Sequence, residues 1–268
     1  MKRVEVFSIG DELLRGIVQD TNSHWLIQRI TARGARVERG ALLPDDPPLV
    51  AGALRSALSR KPDLILTDGG LGPTDDDRTR EAVSLATGLV CEPHAAAEEI
   101  VRRRYAELAA DGTVTGADLN EARIRMSLLP RGAIALDNHV GAAPGVLVRV
   151  GSTVIVCLPG VPPELFWIFD NSLAPFLDEI LGPGGFSEWT AAASTKDESH
   201  IADTLRAVQS RHLGVYVKSR AKSFAEDGTV RVTITATAAS NEEAEWLLSE
   251  ARKDLKSSLR TAGVDLEE

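Results

Sequence analysis

Cysteine is scarce. Cys91 and Cys157 are the only two in 268 residues, they stand far apart, and neither belongs to a CxxC pair. A disulfide framework, a zinc knuckle and a dithiol redox site are thereby disfavoured. Cys157 lies in the apolar run Val154-Ile155-Val156-Cys157-Leu158, which marks it as buried filler. Long apolar runs are also missing. No stretch approaches the roughly 18 residues of a membrane span, and the N-terminus lacks the roughly 7–15-residue apolar segment of a signal peptide. These absences predict a cytoplasmic protein without a membrane partner. Basic charge is in deficit too: the net charge of −9 works against any global attraction to nucleic acid or anionic lipid. An acidic chain that takes a phosphate must do so locally, with backbone N–H groups, a few basic side chains or a metal ion. The two familiar phosphate motifs, GxxxxGK[ST] and GxGxxG after a strand, are absent, which argues against ATPase and NAD-type sites.

What is present is ordinary globular material. Apolar residues at 43% and charged residues at 26% supply a core without staples. The length suits one large domain and one small one. The first 70 residues alternate regularly. Val4 to Ile9 reads as a strand, and Asp20-Thr21-Asn22-Ser23 offers caps for a helix carrying Trp25, Leu26 and Ile30, closed by Gly34. Ala35 to Leu43 reads as a second strand, Pro47 to Leu58 as a helix, and Leu64 to Thr67 as a third strand. This β-α-β-α-β order predicts an α/β fold, a mostly parallel sheet with helices on both faces. Helix is expected from Asp75 to Thr87, over most of residues 94–128, and from Glu164 to Ile180; strands are expected at Ala133–Leu136, Gly145–Val150 and Thr153–Leu158. Gly182-Pro183-Gly184-Gly185 is the best linker. It divides a domain of residues 1–181 from a small α+β domain of residues 186–268.

Ligands of parallel sheets sit beyond the C-terminal strand ends. Gly10-Asp11-Glu12 follows the first strand there, and Asp11 is the better candidate of the two acids. The segment Thr67-Asp68-Gly69-Gly70-Leu71-Gly72-Pro73-Thr74-Asp75-Asp76-Asp77-Arg78-Thr79 follows the third. Its glycines allow close approach to backbone, and a following helix N-terminus would offer unpaired N–H groups to a phosphate. Three consecutive aspartates would repel that phosphate, a conflict that a divalent cation resolves. The plainer reading makes Thr74 an N-cap and the aspartates a complement to the helix dipole. Two further small-residue loops, Asn138 to Gly145 and Leu158 to Glu164, either turn the chain or line the same pocket.

Read in order, Gly10-Asp11-Glu12-Leu13-Leu14-x-Gly16, Asp20-Thr21-Asn22-Ser23, Gly69-Gly70-Leu71-Gly72-Pro73-Thr74-x-Asp76-Asp77-x-Thr79, Gly141-x-x-Pro144-Gly145 and Leu158-Pro159-Gly160-Val161-Pro162-x-Glu164 resemble the N-terminal domain of the CinA (competence/damage-inducible) family, of the MoaB/MogA molybdopterin-binding fold. The resemblance covers roughly residues 1 to 180, and residues 186 to about 262 look like the KH-like domain that follows in such proteins. It implies a three-layer α/β/α sandwich and a pocket for a small nucleotide or pterin ligand. It also implies hydrolysis of a diphosphate such as ADP-ribose, with a divalent ion (cobalt, magnesium or manganese), potassium assisting, in a homo-oligomer. Asp77 and Asp76 would be catalytic and hold the metal. Gly10, Asp11, Gly69, Gly70, Leu71, Gly72, Thr74, Gly141, Pro144, Gly145, Pro159 and Gly160 would line the ligand. The alternative is a binding or transfer module for a molybdopterin-like ligand. Ala142 replaces a common threonine and Asp68 replaces another. The deamidase domain of longer relatives has no counterpart in these residues. The region from 186 onward has 11 Lys+Arg against 14 Asp+Glu and no GxxG clamp, so nucleic acid is not expected as a partner.

Overall fold

The computed structural model describes residues 1–221 and 230–267. It divides into two compact units, one of Met1–Ile30 with Arg36–Gly182, the other of Thr31–Ala35 with Pro183–Glu268.

The larger unit begins with β1 (Arg3–Ile9), whose residues from Val4 on are all buried. A central parallel strand covered on both faces reads as such a run. A one-turn helix, α1 (Asp11–Leu14), leads through a loop to α2 (Asn22–Ala32), which buries Leu26 and Ile30. Next comes β2 (Arg36–Leu43). Helix α3 (Pro47–Arg60) starts on Asp46, whose carboxylate accepts from Leu49 N at 3.0 Å. Pro47 and Pro48 occupy the first turn, where a missing N–H costs nothing. Strand β3 (Leu64–Asp68) is wholly buried and delivers the glycine loop, beyond which α4 spans Thr79–Thr87.

A small antiparallel pair, β4 (Cys91–Pro93) with β5 (Leu128–Pro130), encloses α5 (Ala95–Ala110) and α6 (Glu121–Arg125). The chain then adds β6 (Ile134–Leu136), β7 (Gly145–Val150) and β8 (Thr153–Leu158). The main sheet has the order β2-β1-β3-β8-β7-β6. The first four strands are parallel, β7 runs against β8, and the edge strand β6 runs against β7. Together with its helices this is the expected α/β/α sandwich. The C-terminal ends of β1, β3 and β8 therefore meet on one rim.

Two helices differ from expectation. The helix expected from Asp75 starts only at Thr79, because the Asp77 carboxylate turns back to accept from Thr74 N at 2.8 Å. The single helix expected from Glu164 to Ile180 is α7 (Pro162–Trp167), a π-helical turn Ile168–Ser172, and α8 (Ala174–Leu181). Pro175 has no N–H to donate and crowds the carbonyl four residues back, so the helix widens ahead of it, with Leu173 N reaching Ile168 O at 2.8 Å.

The smaller unit runs β9 (Gly185–Ala193), α9 (Ser199–Arg211), β10 (Val215–Ala221), β11 (Val230–Ala238), α10 (Asn241–Thr261) and β12 (Leu266–Glu267). Its antiparallel sheet has the order β10-β11-β9-β12. This β-α-β-β-α-β succession is the split-βαβ arrangement. Val230, Val232, Ile234 and Ala236 bury one sheet face against Ile201, Leu205 and Val208 of α9 and Ala251, Leu255 and Leu259 of α10.

Candidate active site

The glycine loop is shaped by what its carbonyls touch. Gly69 adopts φ 97° and Gly70 φ 67°, values that side chains resist. A Cβ on Gly69 would lie 2.0 Å from the Ile9 carbonyl oxygen, and one on Gly70 2.3 Å from the Thr79 hydroxyl. These glycines bring the loop against β1 and the start of α4. Thr79 then donates its hydroxyl to Gly69 O at 2.8 Å and its N–H to Gly70 O at 3.1 Å. Arg80 donates to Leu71 O at 2.6 Å and to Gly72 O at 3.2 Å.

Across from this loop, Gly160 packs on Gly69: a Cβ on Gly160 would be 3.3 Å from the Gly69 Cα. Asn22 ties the two loops together, donating to Asp68 Oδ1 at 3.0 Å and Gly160 O at 2.9 Å. The motif Asp20-Thr21-Asn22-Ser23 is thus more than a cap. Asp20 does cap α2 by accepting from Ser23 N, but Asn22 also joins two walls of a cleft.

That cleft holds about 590 Å³. Gly69 to Pro73 form one wall and Pro159 to Pro162 another, with Tyr105 and Met126 supplying apolar surface. Its acids are Glu12, Asp45, Asp76, Asp77 and Glu164. Burial, and then the nearby Glu12, Asp11 and Asp76 charges, push the Asp45 carboxyl up despite the N–H of Asp11. Burial likewise raises Glu164, which Asn138 Nδ2 holds at 2.7 Å. Asn138 is fully buried, and its Oδ1 accepts from the N–H groups of Val140 and Gly141. Glu164 lies so close to Gly141 that a Cβ there would stand 1.9 Å from its carboxylate.

Of the residues expected from sequence, Gly10, Gly69, Gly70, Leu71, Gly72, Asp76, Asp77, Pro159 and Gly160 come together around this cleft. Five others do not line it. Asp11 turns away: its N–H donates to Asp45 Oδ2 at 2.8 Å and its carboxylate takes Arg15 at 2.9 Å, so Glu12 faces the cleft instead. Thr74 borders a neighbouring cavity of about 270 Å³, with its hydroxyl on Asp76 and 2.5 Å from Asp77 Oδ2. Gly141 makes room for Glu164. Pro144 is buried, and Gly145 opens β7 packed on Leu136 and Ile168. The helix N-terminus expected beside the aspartates is displaced as well, since α4 begins beyond them and the Thr79 N–H is spent on Gly70 O.

Sequence reasoning missed Asp45, Tyr105 and Met126 as lining residues and offered Glu164 only as the end of a loop. Asp45 carried a signal, because it follows β2 on the same rim as the other two loops. Tyr105 and Met126 come from the segment around α5 and α6, where no strand-end rule points.

As for a metal, no group of three or more His, Cys, Asp or Glu side chains is arranged to hold one among the described residues. One oxygen each of Asp76 and Asp77 accepts from Thr74. Two carboxylates do not make a closed protein cage; an ion held by so few would need phosphate oxygens and water to fill its shell.

A parallel sheet with an acidic, glycine-walled cleft at its strand ends defines the class: an α/β protein built to receive a small ligand. Residues 5–179 match the family model described as "Probable molybdopterin binding domain", and the chain belongs to that family. A protein of Aeropyrum pernix is 37% identical over 268 residues, covering 99% of this chain and 97% of that one. Protein PH0439 of Pyrococcus horikoshii is 36% identical over 220 residues, covering 82% and 84%. Among solved structures, the protein CinA of Thermoplasma acidophilum, described as of unknown function, superposes with a TM-score of 0.58 at 30% identity. The match covers 67% of this chain and 99% of that one.

Proposed function

We propose that the cleft binds a phosphate-bearing adenine nucleotide or pterin, and that with a divalent cation it hydrolyses the diphosphate of ADP-ribose or a similar dinucleotide. The observation that carries the reading is the glycine loop. Its carbonyls from Gly69 to Gly72 are all bonded to Thr79 and Arg80, while Gly70, Leu71 and Gly72, whose N–H groups have no acceptor among the described residues, line a roomy cleft next to Asp76 and Asp77. A cation bound there would polarise the diphosphate and lower the pKa of a water. Asp76 and Asp77 would orient that cation. The loop N–H groups would take up charge developing on phosphoryl oxygens. Tyr105 and Met126 would give an aromatic base or a pterin ring an apolar surface. Glu164, its proton affinity raised by burial, would hold or release a proton at the opposite wall.

A second reading has its own support. The incomplete metal set, and a family described by molybdopterin binding, suit a module that binds or passes on a pterin ligand without hydrolysis. Direct assay of ADP-ribose conversion to AMP and ribose 5-phosphate, across magnesium, manganese and cobalt and with a chelator, separates the two. Metal-dependent turnover is the expected result. Binding without turnover under every ion would leave the pterin-module reading in its place. We further read the small unit as a KH-like domain without its nucleic-acid clamp, serving assembly of a homo-oligomer.

A further inference from the structure

The cleft poses an electrostatic problem. Five carboxylates line it in a chain of net charge −9, yet a phosphate must find it attractive. Arg80 offers the answer. It is 6% exposed, and its guanidinium bonds to two neutral carbonyls, Leu71 O and Gly72 O. Of the nearby acids, Glu81 pairs with Arg78 and Asp75 with Arg125, while Asp77 bonds to the neutral Thr74 and still acts on Arg80 through its charge. Among the described residues Arg80 has no carboxylate within ion-pair distance. Arginine does not give up its proton in proteins, so a positive charge lies buried behind the loop, in no direct ion pair and with Asp77 acting on it only through space.

Peptide geometry fixes where that charge acts. The chain has no cis peptide, and in a trans unit the C=O and the next N–H point in opposite directions. Thr79 holds the carbonyls of Gly69 and Gly70, and Arg80 holds that of Leu71. The N–H groups of Gly70, Leu71 and Gly72 are therefore turned the other way, and none has an acceptor among the described residues. Three adjacent donors of this kind make an anion-binding concavity. The arginine both sets the last of these peptide planes and polarises it, since a cation at a carbonyl oxygen makes the attached N–H a stronger donor.

We propose that Arg80 makes this acidic cleft select phosphate-bearing ligands over their uncharged counterparts, as a positioning residue that never touches the ligand. The inference rests on the nucleotide or pterin reading of the cleft and adds the origin of its preference for anions.

Calorimetric titration of the full chain with ADP and with adenosine tests it. The unaltered protein should bind ADP more tightly than adenosine. Arg80→Met should lose about tenfold or more in ADP affinity, the size of one or two charge-assisted hydrogen bonds, with adenosine affinity unchanged. Arg80→Lys keeps the charge but not the fork that spans two carbonyls, and should fall between. Unchanged ADP affinity in a folded Arg80→Met variant would overturn the proposal. So would an equal loss for ADP and adenosine, which is what a merely structural role produces. If Arg80→Met does not fold, an Arg80→Lys protein with the unaltered ratio of the two affinities overturns it instead. A wild-type protein that binds adenosine and ADP equally removes the selectivity, and with it the role of Arg80, while leaving a nucleoside site. A wild-type protein that binds neither defeats the reading of the cleft itself and this proposal with it.

Discussion

Asp68 stands at the root of the glycine loop, 3% exposed, and shares one hydroxyl with a second carboxylate. Ser8 Oγ lies 2.7 Å from Asp68 Oδ2, 2.6 Å from Ser23 Oγ and 3.2 Å from Asp20 Oδ2. If Ser23 donates to Ser8, the Ser8 proton can serve only one of the two acids. Desolvation pushes the Asp68 carboxyl up to about 6, with the Asp20 and Glu12 charges adding to the rise and Ser8 and Asn22 opposing it. The group thus binds its proton more tightly folded than unfolded, where its ordinary value is 3.8. Below about pH 4 both states carry the proton and the carboxyl costs nothing. As pH climbs from there through about 6, the folded state must bury a charge, and stability falls. Asp68→Asn is neutral throughout. Compared with wild type, its denaturation midpoint should not show that decline and should be equal or higher at pH 8. Urea melts at pH 4, 6 and 8 check this; a variant destabilised equally at all three would show that Asp68 acts by shape alone. In the proposed hydrolysis Asp77 would orient the cation. Asp77→Asn is nearly isosteric and should keep the fold, yet lower metal-dependent turnover by about tenfold or more, the size of a lost 1.4 kcal/mol. Asp75 pairs with Arg125 at the neighbouring cavity and does not border the cleft, so Asp75→Asn should change turnover less. Steady-state rates of the two variants side by side decide the order.

Elements were legible where one local signal ruled. The strands β1, β3, β7 and β8 announce themselves as buried or β-branched runs ending in glycine, proline or aspartate, and with the exposed β2 their order fixes the rim on which ligands collect. Legibility failed where side chains rewrote the backbone. The sequence Thr74-Asp75-Asp76-Asp77 looks like a cap followed by an acidic first turn, yet Asp77 bonds back to Thr74 N and makes the turn itself. Asp11 and Glu12 differ by one position, and only the short helix α1 decides which of them faces the cleft. The three-residue strands β4 and β5 carry a proline each and are stabilised by their pairing, which no local pattern reveals. Helix α3 is the opposite case, with its cap written in plain sight. Asp46 accepts from Leu49 N, and both prolines suit the first turn. Asp46→Ala should therefore cost about 1 kcal/mol of stability, the usual value of an N-cap. Asp46→Asn should recover most of it. Urea unfolding of the pair measures the difference, and equal midpoints for Ala and Asn would show that the cap contributes nothing.

The whole molecule divides into two compact units, and each holds a buried hydrophobic cluster. One gathers residues from Phe7 to Cys157, including Ile9, Leu54, Ile65, Leu71, Val101, Leu129 and Ile155. The other gathers residues from Ala193 to Val264, with Ile201, Val232, Ile234, Leu255 and Leu259. The larger unit also buries Leu26, Ile30, Leu64, Leu66, Val156 and Leu177 outside that first cluster. A core is what makes unfolding cooperative, because removing any part of it exposes the rest. Two compact units predict two cooperative transitions. The cleft and every group argued to act in it lie within the larger unit, so ligand binding should follow that unit alone. A chain ending at Gly182 should fold, and calorimetry should show one transition matching one of the two seen in the complete chain. Added ADP should raise that transition in both proteins by the same amount, since a ligand stabilises only the state that binds it. The second transition of the complete chain should not move. An insoluble truncated chain, or a melt without cooperativity, would show that the larger unit needs the smaller one to complete its core. A single transition in the complete chain that shifts as a whole with ADP would show instead that the two units unfold as one.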